Sequence, residues 1–71
     1  MTAAKRLYRL RCRLRLTQRA FAERFALPYG VIKDVEQGRF QPVQSFVVLL
    51  AAIEAAPETV AEAAANLAKY G

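Results

Sequence analysis

Apolar residues recur at helical spacing along most of the chain. Ala3, Ala4, Leu7, Leu10 and Leu14 follow a 3.6-residue repeat at the N-terminus. Taken alone, Arg9 to Leu16 alternates basic and apolar residues and fits a half-buried strand. The wider window decides for a helix over about residues 3–14. Arginine and leucine are good helix formers, and no β-branched residue lies between Ala3 and Leu16. Thr17 then suits the N-cap of a second, short helix over Gln18 to Phe25. Its Ala20, Phe21, Ala22 and Phe25 share one face, with Arg19, Glu23 and Arg24 outward. Pro28 disfavours α geometry in Leu27, so the chain breaks there, and Pro28 itself suits the first turn of a third helix. That helix runs to Gln37 and buries Val31, Ile32 and Val35, with Gly38 as a left-handed terminator.

Arg39 to Gln44 is a polar connection carrying Pro42. Ser45 is the expected cap of a fourth helix, running through Val47, Leu49, Leu50 and Ile53 to about Ala56. Pro57 ends it and opens a fifth over about Glu58 to Lys69, whose alanine run Ala61–Ala68 has high helix propensity and little to bury. The expectation is a single all-α domain of five helices over residues 1–71, without internal repeats.

Seventy-one residues lie near the lower limit for a fold held by its core alone, although 55% of them are apolar. Cys12 is the only cysteine and there is no histidine, which excludes a disulfide and the usual zinc ligands. No metal or cofactor is expected, and self-association is left as the supplement to stability. Cys12 reads as a small hydrophobe in a reducing compartment. Ser45 is the only serine, and no residue set resembles a nucleophile–base pair, so the pattern disfavours an enzyme. The basic N-terminus is not followed by a continuous apolar run, and the longest apolar stretch, Phe46 to Ile53, is far short of the ~20 residues that span a bilayer. A soluble, cytoplasmic protein is expected.

Charge changes the picture most. Residues 1–39 carry ten Lys/Arg against Glu23, Asp34 and Glu36, a balance of +7; residues 40–71 carry Lys69 against Glu54, Glu58 and Glu62, a balance of −2. One end is therefore suited to a polyanion, either nucleic acid or an anionic membrane surface. A membrane-surface peptide would have no use for a capped helix, a turn and a second short helix. That arrangement is the helix-turn-helix, whose second helix fits the major groove of double-stranded DNA.

The segments Leu10-Arg11, Leu16-Thr17-Gln18, Phe21-Ala22 and Asp34-Val35-Glu36-Gln37-Gly38 together resemble the Xre/Cro/C1 helix-turn-helix family. The likeness covers about residues 5–62 and extends to the lambdoid phage repressors and the small helix-turn-helix antitoxins. Arg39-Phe40-Gln41-Pro42 and the stretch from Leu49 to Val60, with its Pro57-Glu58 break, look most like the antitoxin and autoregulator branch. The resemblance implies a lambda-repressor-like five-helix domain with its helix-turn-helix unit over about residues 17–38. It implies a transcriptional repressor binding its own operator. An antitoxin that also binds a toxin, a phage Cro-like repressor and an anti-CRISPR-associated repressor all stay open. A protein-only adaptor on the same scaffold is the alternative of another class.

The same resemblance carries site residues. Thr17 and Gln18 open helix 2, where family members anchor a phosphate, helped by the free amides of the helix start. Tyr29, Gly30, Lys33 and Asp34 match the base-reading face of helix 3, and Arg39 and Gln41 the loop that holds phosphates. A lysine donates to guanine or to phosphate, and a tyrosine meets a thymine methyl or a phosphate. Asp34 is awkward near phosphates: it either accepts from cytosine N4 or is neutralised by an arginine of its own chain. Gly30 lowers helix stability and suits a close backbone approach to DNA. Arg11 and Glu36 match positions that form a partly buried ion pair. Two departures stand out: Ala26 replaces the usual turn glycine, so either it adopts a left-handed conformation or the turn differs, and Val35 replaces a larger residue.

One short helix reads too few base pairs for useful specificity, which points to a homodimer on a palindrome with half-sites about 34 Å apart. Helices 4 and 5, about residues 45–69, are the expected interface. Val48 and Ile53 are its candidate residues, because helix 4 has more apolar positions than its own core requires.

Overall fold

A computed structural model describes residues 1–70. Five helices account for most of them: α1 (Ala3–Arg13), α2 (Gln18–Arg24), α3 (Tyr29–Glu36), α4 (Gln44–Ala55) and α5 (Pro57–Tyr70), with no strand among the described residues. The basic-apolar alternation of Arg9–Leu16 is thus resolved as helix followed by turn. No helix among them is long and apolar enough to cross a membrane.

The core lies where all five helices converge. Leu7 and Leu10 of α1, Phe21 and Ala22 of α2, Ile32 and Val35 of α3, and Leu50 and Ile53 of α4 are buried together with Phe25. The Phe21 and Phe25 rings meet at a tilted 4.8 Å, one helical turn apart. Ala64 is the buried residue of α5, and Val60 and Ala61 pack on the edge of the core. Helix α3 packs on α1 and α2, whereas α5 packs on α4 and α2. No buried side-chain nitrogen or oxygen among the described residues lacks a partner.

Helix ends follow a rule that the sequence only partly displays. Thr17 Oγ1 accepts from the Ala20 amide at 3.0 Å, as expected of an N-cap, and Thr2 caps α1 in the same way through Lys5 at 3.2 Å. At the opposite ends α1, α2 and α3 close identically. The residue after each C-cap is left-handed, with φ of 59° at Arg15, 55° at Ala26 and 73° at Gly38. The next amide reaches back to the third-last residue of each helix: Leu16 to the Arg11 carbonyl at 3.0 Å, Leu27 to Ala22 at 2.8 Å, and Arg39 to Asp34 at 3.0 Å. These are Schellman closures. Ala26 therefore takes the left-handed alternative, at a cost of roughly 1–2 kcal/mol, and so does Arg15, which no sequence signal marked.

Four expectations need correction. Ser45 does not cap α4: Val43 holds the N-cap position in extended geometry, and no side chain accepts from the first amides. Pro28 sits at the N-cap of α3, one residue before its first turn, and its carbonyl accepts from Val31 and Ile32. Cys12 is exposed, since it lies on the side of α1 away from Leu7, Leu10 and Leu14. Ile53 cannot line an interface, because it is fully enclosed within this chain beside Leu50. Val48, by contrast, is 58% exposed.

Candidate nucleic-acid interface

Helices α2 and α3 pack against each other across a tight turn formed by Phe25 to Pro28. Phe21 and Ala22 anchor one helix, Ile32 and Val35 the other, and the buried faces leave a continuous outer face. On that face Tyr29 and Lys33 stand one turn apart. The Lys33 ammonium lies 5.2 Å from the centroid of the Tyr29 ring, and the Arg19 guanidinium lies 4.3 Å from it. Two cations thus flank one aromatic ring, an arrangement that fixes both the ring and the long basic side chains. Arg19 is the residue that sequence reasoning missed. Its place in the sequence puts it on the outer side of α2, but only the packing of α2 on α3 brings it to Tyr29.

Gly30 lies beside this cluster and is exposed. A Cβ built there would meet nothing within 4 Å, so no packing within the chain requires glycine at this position. Asp34 and Arg39 lie at the other end of α3 and face each other at 3.7 Å, with side chains 49% and 68% exposed. The pairing alternative for Asp34 is thus the geometry present in the free chain. Such an exposed pair is weak and readily exchanged. Gln41 is exposed and lies further along, where it lines a shallow groove with Thr2, Ala3, Ala4, Val35, Gly38 and Phe40.

Behind the outer face, one ion pair fixes the relation of α1 to α3. Arg11 Nε donates to Glu36 Oε2 at 2.8 Å and Nη2 to Oε1 at 3.0 Å, with side chains only 16% and 8% exposed. A third guanidinium bond goes to the Leu16 carbonyl at 3.0 Å, fastening the turn that leads into α2. Hydrogen bonding to Glu36 raises the pKa of Arg11, so the guanidinium stays charged at every working pH. The Gln18 amide donates to the same Glu36 carboxylate at 3.3 Å. Gln18 and Thr17 are therefore both engaged within the chain, Thr17 through its capping hydroxyl.

The remaining arginines divide. Arg13 donates to the Glu54 carbonyl at 2.8 Å and Arg6 to the Glu54 carboxylate at 3.0 Å, tying α1 to the end of α4. Arg9 and Arg15 are exposed. The outer face of α2–α3 thus carries Arg19 and Lys33 against the Tyr29 ring, Gly30 beside them, and the Asp34–Arg39 pair at its far end. Among the described residues no group of histidine, cysteine and acidic side chains is placed to hold a metal ion. Comparison with known protein families, curated proteins and solved structures finds no match for this chain.

Proposed function

We propose that this chain is a sequence-specific DNA-binding transcriptional repressor of lambda-repressor-like fold, with α2 and α3 as its helix-turn-helix unit. One observation carries the reading. The exposed side of α3, the second of two short helices joined by a tight turn, bears Tyr29 and Lys33, with Arg19 of the preceding helix stacked on the same ring. A basic, aromatic helix face of this size suits entry into the major groove, where lysine and tyrosine meet base edges and phosphates. The Arg11–Glu36 tie holds that helix at a fixed angle, as recognition by a few side chains requires.

In this reading the chain acts as a dimer on a palindromic operator in its own promoter, and the charge excess of residues 1–39 draws it to the duplex. The test is binding to its own upstream DNA across a salt series, with a scrambled duplex of equal length as control. Tight binding to the upstream duplex alone, weakening steeply with salt, supports the reading. Equal, weak binding to both duplexes overturns the claim of sequence specificity.

A further inference from the structure

Much of the positive charge lies away from the reading face. Helix α1 carries five of the ten Lys/Arg of residues 1–39 and no acid. Of these five, Arg11 alone is bonded to α3. Arg6, Arg9 and Arg13, spaced by three and four residues, share the opposite flank of α1. Arg6 donates to the Glu54 carboxylate and Arg13 to the Glu54 carbonyl, at the end of α4. With Met1, Leu10 and Glu54, the three arginines line a groove of about 190 Å³. Three guanidiniums (+3) against one carboxylate (−1) leave this groove a balance of +2.

Size and donors narrow the occupant. Drug-sized ligands sit in cavities of about 300–1,000 Å³. A groove this small takes a group that projects from something larger. Each guanidinium is a fork of several N–H donors, which fits phosphate or carboxylate. Arg6 and Arg13 each commit one donor to Glu54, and Arg9 is exposed with no bond among the described residues. All three therefore keep donors for an anion. The stripe from Arg6 to Arg13 runs roughly 10 Å along the helix axis, at about 1.5 Å per residue. One strand of a duplex sets a phosphate about every 3.4 Å of its length. The stripe thus spans about three phosphates of one strand, one for each arginine. The duplex read by α3 cannot supply them. It lies outside α2 and α3, whereas the stripe lies on the far flank of α1, against the end of α4.

We infer that the Arg6–Arg9–Arg13 flank of α1 is a second, sequence-independent DNA site, which holds the backbone of a duplex segment other than the one under α3. One protomer then joins two segments of DNA. The inference takes from the proposed function only that the chain binds duplex DNA. Its contacts are to phosphates alone, so they carry no sequence information and weaken steeply with salt.

The experiment immobilises the upstream duplex, trimmed to its protected length, saturates it with the whole chain, and offers a labelled scrambled duplex at low salt. The wild type should retain this second duplex. Arg9→Glu should retain several-fold less, with its melting temperature unchanged and its affinity for the upstream duplex lowered far less. Arg9→Lys should retain nearly as much as the wild type, because the requirement is charge. A wild type that retains no second duplex overturns the inference, as does Arg9→Glu that retains as much as the wild type. Poly-glutamate that displaces the second duplex as well as free DNA does, at equal charge, overturns the assignment to DNA in favour of an acidic protein partner. Failure of the repressor reading shows separately, as equal binding to the upstream and scrambled duplexes. In that case the flank is read in solution from the scrambled duplex alone. Arg9→Glu should bind it several-fold more weakly, with the slope of log affinity against log salt reduced by about one. An unchanged affinity and slope overturn the inference there too.

Discussion

The two halves of this molecule treat their exposed side chains differently. Along α1 to α3, several polar and charged side chains engage one another: Arg11 with Glu36, Gln18 with Glu36, Arg19 and Lys33 with Tyr29, Arg39 with Asp34. Along α4 and α5, apolar groups such as Val43, Val48, Leu67 and Tyr70 stand in solvent without such partners. The first pattern suits a rigid face, presented already formed to a ligand. The second leaves apolar area whose burial still has stabilisation to give, at about 25 cal/mol per Å². Charge follows the same division, +7 over residues 1–39 against −2 over residues 40–71.

The sharpest way to break the comparison lies within α4 itself. Ile53 is wholly buried and Val48 is 58% exposed, although the sequence offers both as apolar surplus of one helix. Ile53→Ala should cost about 2–5 kcal/mol of folding stability, through lost burial and a cavity among Leu50 and its neighbours. Val48→Ala should change the stability of the isolated protomer by less than about 0.5 kcal/mol. Denaturant titrations of the two variants check this. Equal losses would mean that the division into a closed core and an open face is misplaced.

On the basic half, the largest effect should come from Glu36→Ala. It strands a guanidinium that is 16% exposed and releases Gln18 in the same step. Removing one partner of a pair this enclosed costs about 3 kcal/mol. The melting temperature should fall by well over 10 °C, at roughly 4–8 °C per kcal/mol for a domain of this size. The pH dependence has a definite sign. The folded pKa of Arg11 is raised by its bond to the Glu36 carboxylate, so its contribution is present at neutral pH and is lost only as pH rises through that elevated value. A pair as exposed as Asp34–Arg39 would lose almost nothing on the same substitution, which makes the contrast measurable inside one helix.

Lys33 tests function more than stability. Lys33→Ala leaves the Ile32 and Val35 packing intact, and it should weaken operator binding by about 1–3 kcal/mol, the worth of one base or phosphate contact. Competition binding with wild-type and scrambled duplexes shows which contact is lost. A loss only on the operator means base reading, and an equal loss on both means phosphate.

How much of this was legible in the sequence depends on whether a residue acts alone or through its neighbours. The buried leucines of α1, the Thr17 cap and the Gly38 terminator follow from local periodicity and backbone preference, and they lie where the pattern puts them. Arg15 and Ala26 close their helices in the same left-handed geometry as Gly38, yet nothing in either residue type announces it. Only the paired amide bonds of each closure reveal it, and these depend on how the next segment is held by the core. Ala26→Gly removes that strain and should stabilise the fold by about 1 kcal/mol, read from the denaturation midpoint. Ile53 is buried for a related reason. Periodicity says that α4 has several apolar faces, but only the placement of α1 and α5 selects the one that is enclosed. Arg19 was placed on the outer face of α2 from sequence, whereas its stacking on Tyr29 needed the crossing of α2 and α3.

Gly30 gives the smallest effect and separates the two kinds of cause most clearly. An added Cβ meets nothing within 4 Å, and no positive φ at this position demands glycine. On structural grounds alone, Gly30→Ala should therefore stabilise α3 by a few tenths to about 1 kcal/mol, the helix-propensity difference between the residues. If the backbone at Gly30 approaches a duplex closely, the same methyl group occupies the space the DNA needs, and affinity should fall while stability rises. A thermal melt and a binding isotherm on the one variant decide it. Opposite changes in the two would identify Gly30 as part of the reading surface. A rise in stability with binding unchanged would place the duplex further along α3, toward Lys33 and Asp34. A fall in stability would mean that the N-terminal turn of α3 depends on glycine for a reason within the fold, and the argument from open space around it would be wrong.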